Sequence, residues 1–141
     1  MQSSSNNSGP TDLGATQPCI LVVEDDFLVR MVTVDALEDM GCRVAEAASA
    51  TEAVSKVDKD CANITAAVID VGLPDRKGDD LAAELRRMCA GLPIVIVSGY
   101  GEAELQPDLA GDAKVRLLGK PYQSNELAAS LQSLGVAVSD L

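Results

Sequence analysis

Short runs rich in aliphatic residues recur along the chain at 19–23, 43–47, 65–69, 92–97 and 115–118, and between them the apolar positions fall at helical spacing. A run of four to eight such residues bounded by turn formers has the length and branching of a strand, whereas apolar residues three and four apart mark one face of a helix. The first helical stretch, 27–40, puts Leu28, Val32, Ala36 and Met40 on one stripe and stops at Gly41, a residue suited to a helix C-cap. Ser49-Ala50-Thr51-Glu52 has capping-box spacing and opens a second helix running to 59. A third covers 79–89 with Leu81, Leu85 and Met88 inward. A fourth, 102–111, is weakened by Pro107, and an amphipathic fifth covers 124–134. Strands alternating with helices in this way predict βαβ units, and so an α/β fold with a parallel sheet covered by helices.

The flanks read differently. Residues 1–18 are mostly Ser, Asn, Gly, Thr and Pro, the composition of a disordered N-terminal tail, and 136–141 form a short C-terminal tail. That leaves 19–135 as a single domain, with no room in 141 residues for a second functional one.

Composition narrows the chemistry. Hydrophobic residues make up 47% and aromatics 2%, so the core is built from Val, Leu, Ile and Ala. Acidic residues number 22 against 11 basic, and a net charge of −11 argues against nucleic acid as a partner. Histidine is absent, which removes histidine triads, histidine zinc sites and any phosphohistidine from this chain. Cys19, Cys42, Cys61 and Cys89 form no CxxC pair and lie in or beside apolar segments, so four buried free thiols in a reducing compartment are expected. No apolar run approaches the ~20 residues of a spanning helix, so no membrane partner and a cytoplasmic location are expected.

The candidate chemistry gathers at strand ends. Glu24 and Asp25 close the run 19–23, Asp70 closes 65–69, Ser98 follows 92–97 and Lys120 follows 115–118. Open α/β sheets bind ligands beyond the carboxyl ends of their strands. Acids crowded at one such mouth repel one another and hold best around a hard cation, and Mg2+ suits two or three carboxylates plus a backbone carbonyl near Gly72. A carboxylate can attack phosphorus and carry the group as an acyl phosphate when cations neutralise the phosphoryl oxygens. Lys120, in a turn stiffened by Pro121, suits pairing with Asp70 or with a phosphoryl oxygen, and Ser98 can donate its hydroxyl to another.

Four motifs in order, Leu21-Val22-Val23-Glu24-Asp25-Asp26, Ile69-Asp70-Val71-Gly72-Leu73-Pro74-Asp75, Val97-Ser98-Gly99 and Gly119-Lys120-Pro121, make the chain resemble a response-regulator receiver domain of two-component signalling, the CheY-like family. The likeness runs from about 19 to 134. It implies a flavodoxin-like doubly wound five-stranded parallel sheet of strand order 2-1-3-4-5 with five helices. It implies also that Asp70 accepts a phosphoryl group from a histidine kinase or histidine phosphotransfer protein, and that Glu24, Asp25, Asp70 and the Gly72 carbonyl hold Mg2+. Ser98 becomes the switch hydroxyl and Lys120 the phosphate-sensing cation. On this reading a downstream protein partner meets the α4-β5-α5 face, the fourth helix, fifth strand and fifth helix within 102–134, and the chain modifies itself without being an enzyme. Homodimerisation, and the choice between a stand-alone regulator and the receiver portion of a hybrid kinase, stay open.

Three positions depart from the family pattern. Glu24 stands where aspartate is also common, and Leu117 occupies the place of the family's switch aromatic, which leaves Tyr100 as a candidate gating aromatic. Arg76-Lys77-Gly78 adds two positive charges, read here as solvated. Rival readings fit less well. A flavodoxin-like cofactor binder wants a phosphate loop where this chain has three acids, and an aspartate-nucleophile phosphatase wants a second carboxylate where Gly72 stands. The remaining alternative is a constitutive protein-interaction module with vestigial phosphorylation.

Overall fold

A computed structural model of the chain describes residues 17–99 and 107–139. Five strands, β1 (Cys19–Val23), β2 (Arg43–Ala47), β3 (Ala66–Asp70), β4 (Ile94–Ser98) and β5 (Val115–Gly119), form one parallel sheet in the order β2-β1-β3-β4-β5. This is the predicted doubly wound order. The chain reverses direction across the sheet between β1 and β3, and the crevice at their carboxyl ends is where such folds place ligands. β3 and β4 are buried along almost their whole length, which is why they read as unbroken aliphatic runs, whereas the edge strand β5 leaves Leu117 38% exposed.

Alternate strand residues feed two cores. Leu21, Val23, Ile69 and Ile96 face Ala53 and Val57 of α2 (Ala50–Asp60) and Leu81 and Leu85 of α3 (Gly78–Met88). Ile20, Val22, Val68 and Val97 face Leu37 of α1 (Phe27–Asp39) and Leu127 and Leu131 of α5 (Ser124–Ser133). Val136 and Val138 join this second core and the Ser139 N–H donates to the Met40 carbonyl at 3.0 Å, so the chain stays packed beyond α5.

The helix set differs from the expected five. Among the described residues there are four full helices, while α4 is a single turn, Pro107–Ala110. The described part of α4 includes Pro107 as its first residue. Residues 102–106 of the expected segment, and Tyr100, lie outside the described residues.

Two further expectations are corrected. On α1, Leu28 and Val32 are not core residues but are 71% and 70% exposed, and the buried face runs through Thr33, Leu37 and Met40. The first turns of α1 are apolar nearly all round, so spacing alone does not set the phase. Packing of Leu37 and Met40 into the second core sets it, while Asp26 fixes where the helix begins, its carboxylate accepting the N–H groups of Leu28 and Val29 at 3.0 and 3.2 Å. The four cysteines are not all free thiols: Cys61 and Cys89 form a disulfide, and Cys19 and Cys42 are free. A short 3-10 turn after α2 (Cys61–Asn63) and the end of α3 bring the two sulfurs together across 28 residues, a meeting that spacing does not announce.

Candidate functional site

Three carboxylates meet where β1 and β3 end. Glu24, Asp25 and Asp70 each present an oxygen within 4.8 Å of the others. Glu24 and Asp70 have side chains only 8% and 13% exposed, and Lys120 reaches over from the end of β5 with Nζ 3.4 Å from both Glu24 Oε1 and Asp70 Oδ1. Both contacts are long, so the ammonium sits between two acids without committing to either.

The electrostatics follow from this crowding. Burial lifts the Glu24 carboxyl above its ordinary range; the Asp26 N–H, donating to Oε2 at 3.0 Å, pulls it down, and Asp70 pushes it up again. For Lys120, burial works against the charged form, but Asp70 and Glu24 outweigh it and hold the ammonium above its ordinary value. One ammonium among three carboxylates leaves the mouth short of positive charge. An oxygen-only donor set with that deficit fits a hard divalent cation.

The surrounding residues fix this geometry. Arg30 donates from Nη1 to the Glu24 carbonyl at 2.7 Å and from Nε to Glu46 Oε1 at 3.0 Å, with Phe27 stacked 5.6 Å away, so the exit of β1 is pinned to β2 and α1. The Gly72 N–H donates to Asp70 Oδ1 at 3.3 Å, and the Gly78 N–H donates to the Val71 carbonyl at 3.0 Å. Gly78 allows α3 to begin against the Asp70 backbone: a Cβ there would stand 2.5 Å from the Asp70 carbonyl oxygen. Asp75 closes the loop by accepting the Ala50 and Thr51 N–H groups at 2.9 and 3.0 Å and the Thr51 hydroxyl at 2.9 Å. Those donors hold its carboxyl below the usual range.

Ser98 is buried at the end of β4, in register with Gly119, and its carbonyl accepts the Lys120 N–H at 2.7 Å. The serine and the lysine therefore leave the sheet side by side. The Lys120–Pro121 peptide is cis, and the hydroxyls of Tyr122 and Thr33, 2.8 Å apart, tie this turn to α1.

Of the residues singled out in the sequence, Glu24, Asp25, Asp70 and Lys120 converge at one point, Ser98 lies at the adjoining strand end, and Gly72 touches Asp70 through its N–H. Arg76 pairs with Glu84 Oε1 at 2.6 Å along α3, with side chains 35% and 31% exposed, and Lys77 is exposed. Arg30, Asp75, Gly78, Thr33 and Tyr122 were given no role in the site by the sequence reading. Only Gly78 carried a signal, a glycine opening a helix that Lys77 does not cap.

The sheet order and this mouth define the class. Residues 20–132 match the response regulator receiver domain family, and the chain belongs to that family, the CheY-like receivers of two-component signalling. It is 36% identical over 124 residues to the sensor kinase CckA of Brucella abortus (strain 2308), an overlap that covers 88% of this chain and 13% of that kinase. It spans about half or less of two further relatives, a nodulation protein W of Bradyrhizobium diazoefficiens and the C4-dicarboxylate transport regulator DctD of Rhizobium meliloti. Among solved structures it is 30% identical to the receiver domain of the hybrid histidine kinase CckA, with a TM-score of 0.69 over 82% of this chain and 98% of that one. A CheY-like receiver from Methanospirillum hungatei JF-1 is 27% identical, with a TM-score of 0.74 over 83% and 92%. No described helix is long and apolar enough to cross a membrane.

Proposed function

We propose that Asp70 is a phosphoacceptor, taking a phosphoryl group from the phosphohistidine of a histidine kinase or phosphotransfer protein, with Mg2+ held by Glu24, Asp25, Asp70 and the Gly72 carbonyl. The observation that carries this reading is the meeting of three carboxylates with Lys120 Nζ 3.4 Å from Asp70 Oδ1. An Asp70 oxygen attacks phosphorus, the P–N bond breaks, and the imidazole keeps the electron pair and takes up a proton. Glu24, Asp25 and Asp70 would hold a divalent cation there, which would supply the charge that neutralises the phosphoryl oxygens. Lys120 then exchanges its contact with Asp70 for a phosphoryl oxygen, and Ser98 donates its hydroxyl to another. The chain is consumed and regenerated in this cycle; it turns over no separate substrate. The donor histidine lies outside this chain, which has none.

The donor docks on α1. Phe27, Leu28, Met31 and Val32 are 60%, 71%, 44% and 70% exposed beside the mouth, and a groove of about 490 Å³ runs from Val29 and Val32 to Pro121 and Tyr122. A partner helix that carries its histidine amid apolar residues suits this face. Output follows through the neighbouring α4-β5-α5 surface, since Ser98 and Lys120 adjoin β5 directly.

Intact mass after incubation with acetyl phosphate tests the chemistry. The reading expects one added phosphoryl group with Mg2+, and none with a chelator or in Asp70→Asn. An adduct that persists in Asp70→Asn, or that forms equally without the metal, overturns it.

A further inference from the structure

The Cys61–Cys89 disulfide has its Cα atoms 5.8 Å apart and joins the end of α2 to the end of α3. Cys89 is buried in the core beneath α2 and α3, whereas Cys61 packs at its margin and is partly exposed. The segment closed by this bond contains β3, Asp70 and all of α3. The same segment grips the opposite end of α2, because Asp75 accepts both the Ala50 and Thr51 N–H groups and the Thr51 hydroxyl. Helix α2 is thus fastened to the Asp70 segment at both ends, by hydrogen bonds near the mouth and by a covalent bond at the far side. Cys19 and Cys42 take no part in this arrangement.

We propose that Cys61–Cys89 is a thiol–disulfide exchange site, opened by a protein or small-molecule dithiol, that sets how firmly α2 and α3 are held around the Asp70 segment. A thiolate of the dithiol attacks Cys61 Sγ, the more accessible sulfur; the bond to Cys89 breaks, and the Cys89 thiolate leaves and takes a proton. The second thiol of the reductant then attacks the mixed disulfide, freeing Cys61 as a thiol and leaving the reductant as its own disulfide, so two electrons pass to the chain. Closure is the reverse, with a disulfide such as oxidised glutathione as the oxidant. Opening removes a restraint on the unfolded chain and one of the two fastenings of α2 in the folded one.

The test compares the whole chain treated with oxidised glutathione and with dithiothreitol. Alkylation in denaturant followed by mass measurement should count two thiols in the first and four in the second. The oxidised chain should melt roughly 10 °C higher, with faster amide exchange on reduction confined to the 3-10 turn after α2 and the last turn of α3. Cys61→Ser with Cys89→Ser should melt with the reduced chain and ignore dithiothreitol, while Cys19→Ser with Cys42→Ser should keep the full response. Four thiols after the oxidant, identical melting of the two forms, or loss of the response in the Cys19/Cys42 variant would each overturn the proposal. None of these readouts uses phosphorylation, so their failure is separate from failure of the phosphoacceptor reading.

Discussion

Single residues decide whether the mouth can work. Gly78 is the sharpest case, because the obstacle to any side chain is backbone: the Asp70 carbonyl oxygen at 2.5 Å and Val71 Cα at 2.6 Å. Gly78→Ala must push α3 away from the Asp70 loop, and overpacking of this kind costs about 1–3 kcal/mol. Thermal or denaturant unfolding should show that loss together with slower labelling by acetyl phosphate; a variant as stable and as reactive as the parent would contradict the close approach. The acids themselves were legible in the sequence because each ends an aliphatic run at the edge of a strand. Gly78 was not read this way, since nothing local says which backbone will pass in front of it.

At the scale of elements, α1 and α2 carry the instructive differences. Leu28 and Val32 fit an inward stripe by spacing, yet both are exposed and the inner face belongs to Thr33 and Leu37. A helix apolar on several sides leaves its phase undetermined until tertiary contacts choose. With Leu28→Glu and Val32→Glu, stability should change by less than about 0.5 kcal/mol, as for other exposed positions. Phosphotransfer from a histidine-bearing partner should fall about tenfold or more while acetyl phosphate labelling holds, since interface anchors dominate binding. Equal loss by both routes would mean that the face is not a docking surface.

Helix α2 depends on Asp75, 25 residues from Ala50 in sequence and so invisible to local capping rules. Its carboxyl is held low by the Ala50 and Thr51 donors, so its stabilising contribution is complete above the ordinary aspartate value of about 3.9 and disappears as pH falls through the lower folded value. The melting difference between the parent and Asp75→Asn should therefore be constant from neutral pH down to about 5 and shrink below about 3.9. A difference that grows in acid would contradict this role.

For the whole molecule, the parallel layered arrangement and the gathering of chemistry at one end of the sheet were readable from alternating aliphatic runs and helical stripes, whereas the strand order followed from the resemblance to receiver domains. The disulfide was not. It depends on where two helix ends arrive after the sheet has formed, and the cysteines look like ordinary core thiols until then.

The most direct measurement locates the phosphoryl group. Borohydride reduces an acyl phosphate to an alcohol, so a labelled chain should yield homoserine at position 70 alone, only when Mg2+ was present during labelling. Homoserine at Asp25 or another aspartate, hydroxynorvaline at Glu24 or another glutamate, or no reduced residue at all from a labelled chain, would contradict the assignment of Asp70 as the group that the three acids and Lys120 prepare to bond phosphorus.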